Sequence, residues 1–92
     1  AFEETIQLEP SYLNALNNLG VLYFNEKDFN QAESYFKQCL EYNINFQNAY
    51  ANLGAVYHNQ GQYEMARQFY QKALELNPTD VNVQQNLQKL PH

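Results

Sequence analysis

The chain repeats itself every 34 residues, and that repeat constrains the fold more than any other feature. Slid by this offset, Asn14-Ala15 lands on Asn48-Ala49, and Asn18-Leu19-Gly20 lands on Asn52-Leu53-Gly54. Tyr23 meets Tyr57, Asn25 meets Asn59, Ala32 meets Ala66, Leu40-Glu41 meets Leu74-Glu75, and Asn43 meets Asn77. Residues 13–46 and 47–80 share 11 identities in 34 positions. Unrelated segments of ordinary composition would share roughly two. Many of the other pairs are conservative: Phe29 with Tyr63, Tyr35 with Phe69, Phe36 with Tyr70, Cys39 with Ala73. A period of this length marks a supersecondary unit that cannot bury its apolar face alone and is stabilised by stacking on its neighbours.

Each unit reads as two helices. Leu16, Leu19, Gly20 and Tyr23 recur at helical spacing, as do Leu53, Gly54 and Tyr57. A second stripe follows, Ala32, Phe36, Cys39 and Leu40, matched by Ala66, Tyr70, Ala73 and Leu74. Ser11, Asn45 and Thr79 also stand 34 apart, and each is expected to cap the N-terminus of a first helix. Pro10 and Pro78 precede two of these caps and end the helix before them. Asp28-Phe29-Asn30-Gln31 has the form of a capping box for a second helix, and Gly61-Gln62 makes the matching break in the next unit.

These residues closely resemble the tetratricopeptide repeat (TPR) family. Its signature of a large apolar residue, Leu-Gly, Tyr, Ala, an aromatic, Ala and Pro falls on Leu16, Leu19-Gly20, Tyr23, Ala32, Phe36, Cys39 and Ile44. In the next unit it falls on Tyr50, Leu53-Gly54, Tyr57, Ala66, Tyr70, Ala73 and Pro78. Cys39 and Ile44 depart from the pattern, and Lys27 occupies the turn position held by Gly61. The resemblance implies an all-α chain, a right-handed α-solenoid of antiparallel helix-turn-helix repeats with about six helices. The expected division is residues 1–10 as the second helix of a truncated repeat, 11–44 and 45–78 as complete repeats, and 79–92 as a C-terminal capping helix. Phe2, Ile6, Leu8 and Pro10 align with Phe36, Leu40, Tyr42 and Ile44. At the other end, Gln84, Gln88 and Pro91 stand where the large apolar residue, the glycine and the tyrosine stand elsewhere, which suits a terminal cap. Because it begins at Ala1 without Met, the chain is read as a piece of something longer.

Composition narrows the function classes. Five Lys and Arg against ten Asp and Glu give a net charge of −5, which disfavours nucleic acid and anionic membranes as partners. No apolar run approaches a spanning length, and no charged start leads into an apolar stretch. With Cys39 as the single cysteine, no intrachain disulfide can form, and a reducing, cytoplasmic setting fits comfortably. Enzyme candidates are thin: Cys39 occupies a small core position and His58 has no second ligand at helical spacing. No phosphate-binding loop is present. The sequence therefore predicts no catalytic residue, no metal and no cofactor.

In TPR proteins the first helices line a concave groove that holds peptides. By that resemblance the groove positions are Asn14, Asn17, Asn18, Val21, Phe24 and Asn25, then Asn48, Asn52, Ala55, His58 and Asn59, then Asn82 and Asn86. Helical spacing independently places Asn14, Asn17, Val21, Phe24 and Asn25 on one face. Stretches 12–25 and 45–60 contain no Asp, Glu, Lys or Arg, whereas the second helices carry Glu33, Lys37, Glu41, Glu64, Arg67, Lys72 and Glu75. Asn18, Asn52 and Asn86 recur at the repeat period, similar to the asparagine ladder of protein O-glycosyltransferases of the O-GlcNAc type. An amide both donates and accepts, so such a ladder could hydrogen-bond an extended peptide backbone. The preferred expectation is a protein-interaction scaffold with a neutral, Asn-rich groove. Alternatives are self-association through residues 1–8 and a substrate-binding appendage of an enzyme. Chaperone-adaptor relatives clamp C-terminal carboxylates with Lys and Arg, which these positions lack, so Hsp70 and Hsp90 tails are disfavoured partners.

Overall fold

A computed structural model describes residues 10–91, and these form five helices with no strand among them. They are α1 (Pro10–Asn25), α2 (Phe29–Tyr42), α3 (Gln47–Asn59), α4 (Tyr63–Leu76) and α5 (Val81–Gln88). The expected all-helical repeat architecture is therefore present. The expected orphan helix, with Phe2, Ile6 and Leu8, lies outside the described residues. Two compact units divide the chain, the first ending at Phe46 and the second beginning at Gln47. Unit one holds α1 and α2; unit two holds α3, α4 and α5.

In unit one, α1 and α2 run antiparallel. The start of α1 meets the end of α2 through an edge-on Tyr12–Tyr42 pair at 5.4 Å. The end of α1 meets the start of α2 through Phe24 and Phe29, edge-on at 5.6 Å. Between them Tyr23 and Tyr35 stack almost parallel at 5.5 Å. The core is Leu16, Ala32, Phe36 and Cys39. Gly20 lets the two backbones approach: a Cβ there would sit under 3.0 Å from the buried Phe36 ring.

Unit two repeats these contacts at the same offset. Tyr57 stacks on Phe69 at 5.3 Å, His58 meets Tyr63 edge-on at 5.9 Å, and Gly54 lies beneath the Tyr70 ring. Its core is deeper, with Ala49, Leu53, Val56, Ala66 and Ala73 all fully buried. Each large apolar side chain fully buried this way contributes about 1.5–3 kcal/mol. Packing of amphipathic faces, rather than intrinsic propensity, holds helices of 8–16 residues together.

Both hairpins turn in the same way. The N–H of Asp28 bonds back to the Tyr23 carbonyl at 2.9 Å and that of Lys27 to the Phe24 carbonyl, a Schellman ending. Gln62 and Gly61 reproduce these bonds to Tyr57 and His58. The ending needs one left-handed residue, supplied by Gly61 at φ 79° and by Lys27 at φ 65°.

The helix starts differ from the sequence expectation. Ser11 lies inside α1 rather than ahead of it, and α3 begins two residues beyond Asn45. Asp80, not Thr79, caps α5, its carboxylate accepting from the Val83 N–H at 3.3 Å. Neither Asn45 nor Thr79 makes a capping bond; each is instead bonded to the residue two before it. Asn43 Oδ1 accepts from the Asn45 N–H at 3.1 Å, and Asn77 Oδ1 accepts from the Thr79 hydroxyl at 3.0 Å. The Asp28 cap is present: its carboxylate accepts from the Gln31 N–H at 3.3 Å.

Candidate functional site

In each unit the first helix buries one stripe against the second and leaves the expected partner face toward solvent. On α1, Leu16 and Gly20 are buried, while Asn14, Asn18 and Asn25 are exposed. Asn17, Val21 and Phe24 are half-buried beside them. On α3, Asn48 and Asn59 are exposed and Asn52, Ala55 and His58 half-buried, across the helix from buried Ala49, Tyr50, Leu53 and Tyr57. On α5, Asn82 is exposed and Asn86 half-buried, while Val83 faces the core.

The amides differ in what they have left to offer. Asn59 spends one donor on its own helix, giving a 2.8 Å bond to the Ala55 carbonyl. Asn17 and Asn52 each already make an interaction within the protein. Phe24 keeps part of its ring exposed while its edge contacts Phe29.

Charge is segregated by helix. The pairs Lys37–Glu33 at 2.9 Å, Arg67–Glu64 at 2.5 Å and Lys72–Glu75 at 3.7 Å all lie on second helices. Such surface pairs add little stability. Their relevance is position: they leave α1 and α3 uncharged. Arg67 also donates to the Pro91 carbonyl at 3.0 Å, tying the chain after α5 back to α4.

Three features escaped the sequence reading. Gln47, opening α3, donates to Asp80 at 2.8 Å, so one carboxylate joins the starts of α3 and α5 while capping α5. Leu90, beyond the end of α5, is buried in the core of unit two. His58 Nδ1 lies 3.4 Å from the buried Tyr70 hydroxyl. The last had a signal in the sequence, because Phe24 and Phe36 occupy the equivalent places in unit one.

Burial pushes the Cys39 thiol up to about 11, so it carries no thiolate near neutrality. Its sulfur sits 3.8 Å from the Leu13 carbonyl. Burial likewise pushes Tyr70 up to about 12. Among the described residues no group of three or more His, Cys, Asp or Glu could hold a metal ion, and no helix is long and apolar enough to cross a membrane.

A family model for the tetratricopeptide repeat matches residues 13–46 and 48–80. Among solved structures, the first TPR of Spaghetti bound to the HSP90 peptide SRMEEVD is 28% identical, with a TM-score of 0.81, covering 88% of this chain and 64% of that one. MamA is 23% identical, with a TM-score of 0.78, over 89% of this chain and 48% of that one. The N-terminal domain of stress-induced protein-1 from C. elegans is 20% identical, with a TM-score of 0.75, over 96% and 74%. An uncharacterized protein, ycf37, of Pyropia yezoensis is 41% identical over 43 residues, 47% of this chain. The matched stretch spans 24% of the length of that curated relative.

Proposed function

This chain belongs to the tetratricopeptide repeat family, and on that premise we propose that it binds an extended segment of a protein partner through the uncharged faces of its first helices. The repeat fold makes it a protein-interaction scaffold. The observation that carries the finer reading is the absence of Asp, Glu, Lys and Arg from 12–25 and 45–60, where Asn14, Asn18, Asn25, Asn48 and Asn59 are exposed. Amide side chains donate to carbonyls and accept from N–H groups, as an extended backbone requires. Val21, Phe24 and Ala55 add apolar contact beside them.

The Spaghetti structure holds an acidic peptide. On this chain's first helices such a peptide finds no Lys or Arg to clamp its carboxylates. We expect SRMEEVD to bind this chain no better than its analogue with Gln and Asn in place of the acidic residues. Titration at about 50 mM and about 300 mM salt should give affinities within roughly twofold of one another. Tight SRMEEVD binding that falls steeply with salt would defeat the reading.

A second reading, self-association, is favoured by one observation. Leu19 and Leu22 on α1 are 38% and 52% exposed, whereas Leu53, the counterpart of Leu19, is fully buried. Sedimentation over a range of concentrations separates this reading from the first.

A further inference from the structure

Three aromatic positions recur in both units. In unit one they are Phe24, Phe29 and Phe36, and in unit two His58, Tyr63 and Tyr70, each exactly one repeat apart. Unit two thus carries four polar side-chain atoms where unit one has an all-phenylalanine cluster. The Tyr70 ring is 1% exposed and sits over Gly54, as Phe36 sits over Gly20. Its hydroxyl needs a hydrogen-bond partner, and among the described residues it has one, His58 Nδ1 at 3.4 Å.

That contact bears on the histidine's protons, since either atom can donate across it. The buried phenol O–H has no other acceptor among the described residues, so it is paired only when Nδ1 offers a lone pair. The proton of the neutral ring then belongs to Nε2. Nε2 has no partner among the described residues, yet no buried side-chain nitrogen or oxygen there lacks one. Nε2 is therefore open to solvent. Tyr63 and Tyr70 both meet the imidazole edge-on, at 74° and 85°, and hold its plane.

We propose that Tyr70 fixes His58 as its Nε2–H form and so makes it a directional hydrogen-bond donor, selecting an acceptor oxygen on the bound partner. The inference rests on the partner-binding reading of the α3 face. It goes further in giving unit two a donor of set direction where unit one offers the Phe24 ring. Tyr70 is the positioning residue and His58 the one that touches the partner. The acceptor is a carbonyl oxygen, as an uncharged face that does not favour acidic peptides requires.

Two measurements test this. The first needs no partner: nitrogen-proton correlation spectra of the histidine rings under alkaline conditions, with His58→Gln identifying the His58 signals. The proposal expects the Nε2–H form alone in the wild type. In Tyr70→Phe the shifts should move toward those of the urea-unfolded chain. An Nδ1–H form, or shifts that Tyr70→Phe leaves unmoved, overturns it.

The second uses peptides enriched by the wild-type chain from a random pool. His58→Phe should weaken them by about 3- to 10-fold, the loss of one hydrogen bond. Tyr70→Phe alone should weaken them less, by about twofold, because the donor remains but its orientation is lost. The double variant His58→Phe with Tyr70→Phe copies the packing of unit one and serves as a folded control. Equal binding by wild type and His58→Phe overturns the donor role while leaving the face reading intact. If the wild type enriches no peptide, both fall together. In peptides that do bind, exchanging Glu and Asp for Gln and Asn should leave the affinity unchanged, and a loss that depends on His58 would overturn the carbonyl assignment.

Discussion

Gly20 and Gly54 are conserved between the two units for closeness rather than for backbone freedom. Both lie within helices, where alanine is the better helix former by about 1 kcal/mol. A Cβ at either place would sit under 3.0 Å from the ring of Phe36 or Tyr70, and both rings are fully buried. The clash outweighs the propensity, so Gly20→Ala and Gly54→Ala should each destabilise by about 1–3 kcal/mol in urea unfolding. The recurrence of Leu-Gly made these glycines visible in the sequence, but the ring that each accommodates required the structure. A second residue-scale consequence follows from Cys39. Its thiol is pushed up to about 11 from an ordinary 9.0, so the folded state disfavours the thiolate. The stabilisation is complete below about pH 9 and is lost as pH rises toward 11, because the unfolded chain ionises first. For a shift of this size the loss is about 2–3 kcal/mol. Unfolding curves of Cys39→Ala should show less of this alkaline loss than those of the wild type.

Among the elements, α5 depends most on a single side chain. With eight residues it is too short to stand alone. Asp80 caps it and also accepts from Gln47 at the start of α3. Asp80→Ala should cost about 1–2 kcal/mol and raise amide exchange in α5 before it does so in α3 or α4. Uniform exchange across unit two would contradict this. Residue type alone nominated Ser11, Asn45 and Thr79 as caps, since all three are good capping residues at the repeat period. The structure places Asn45 and Thr79 in the preceding turn instead, bonded to Asn43 and Asn77. Asp80 has no counterpart in unit one, where Phe46 stands one repeat earlier, so periodicity could not point to it. Leu90 was equally hidden, because it is buried from beyond the helix end.

For the whole molecule, the all-helical repeat architecture was legible because the apolar stripes, the turn residues and the Leu-Gly pairs all return at one period. The buried stripes fell where spacing put them, with Ala32, Phe36 and Cys39 matched by Ala66, Tyr70 and Ala73. The proposed partner faces were legible only as solvent-facing, uncharged stripes, since a surface that bound something outside the chain would leave no packing partner inside it. The central claim is that the asparagines on those faces read an extended partner. It is tested most directly by screening random peptides against the wild-type chain and an Asn18→Ala, Asn52→Ala, Asn86→Ala variant, with circular dichroism confirming that both are folded. The account predicts that the wild type enriches peptides and the folded variant loses them. Enrichment of the same peptides by both chains would contradict it.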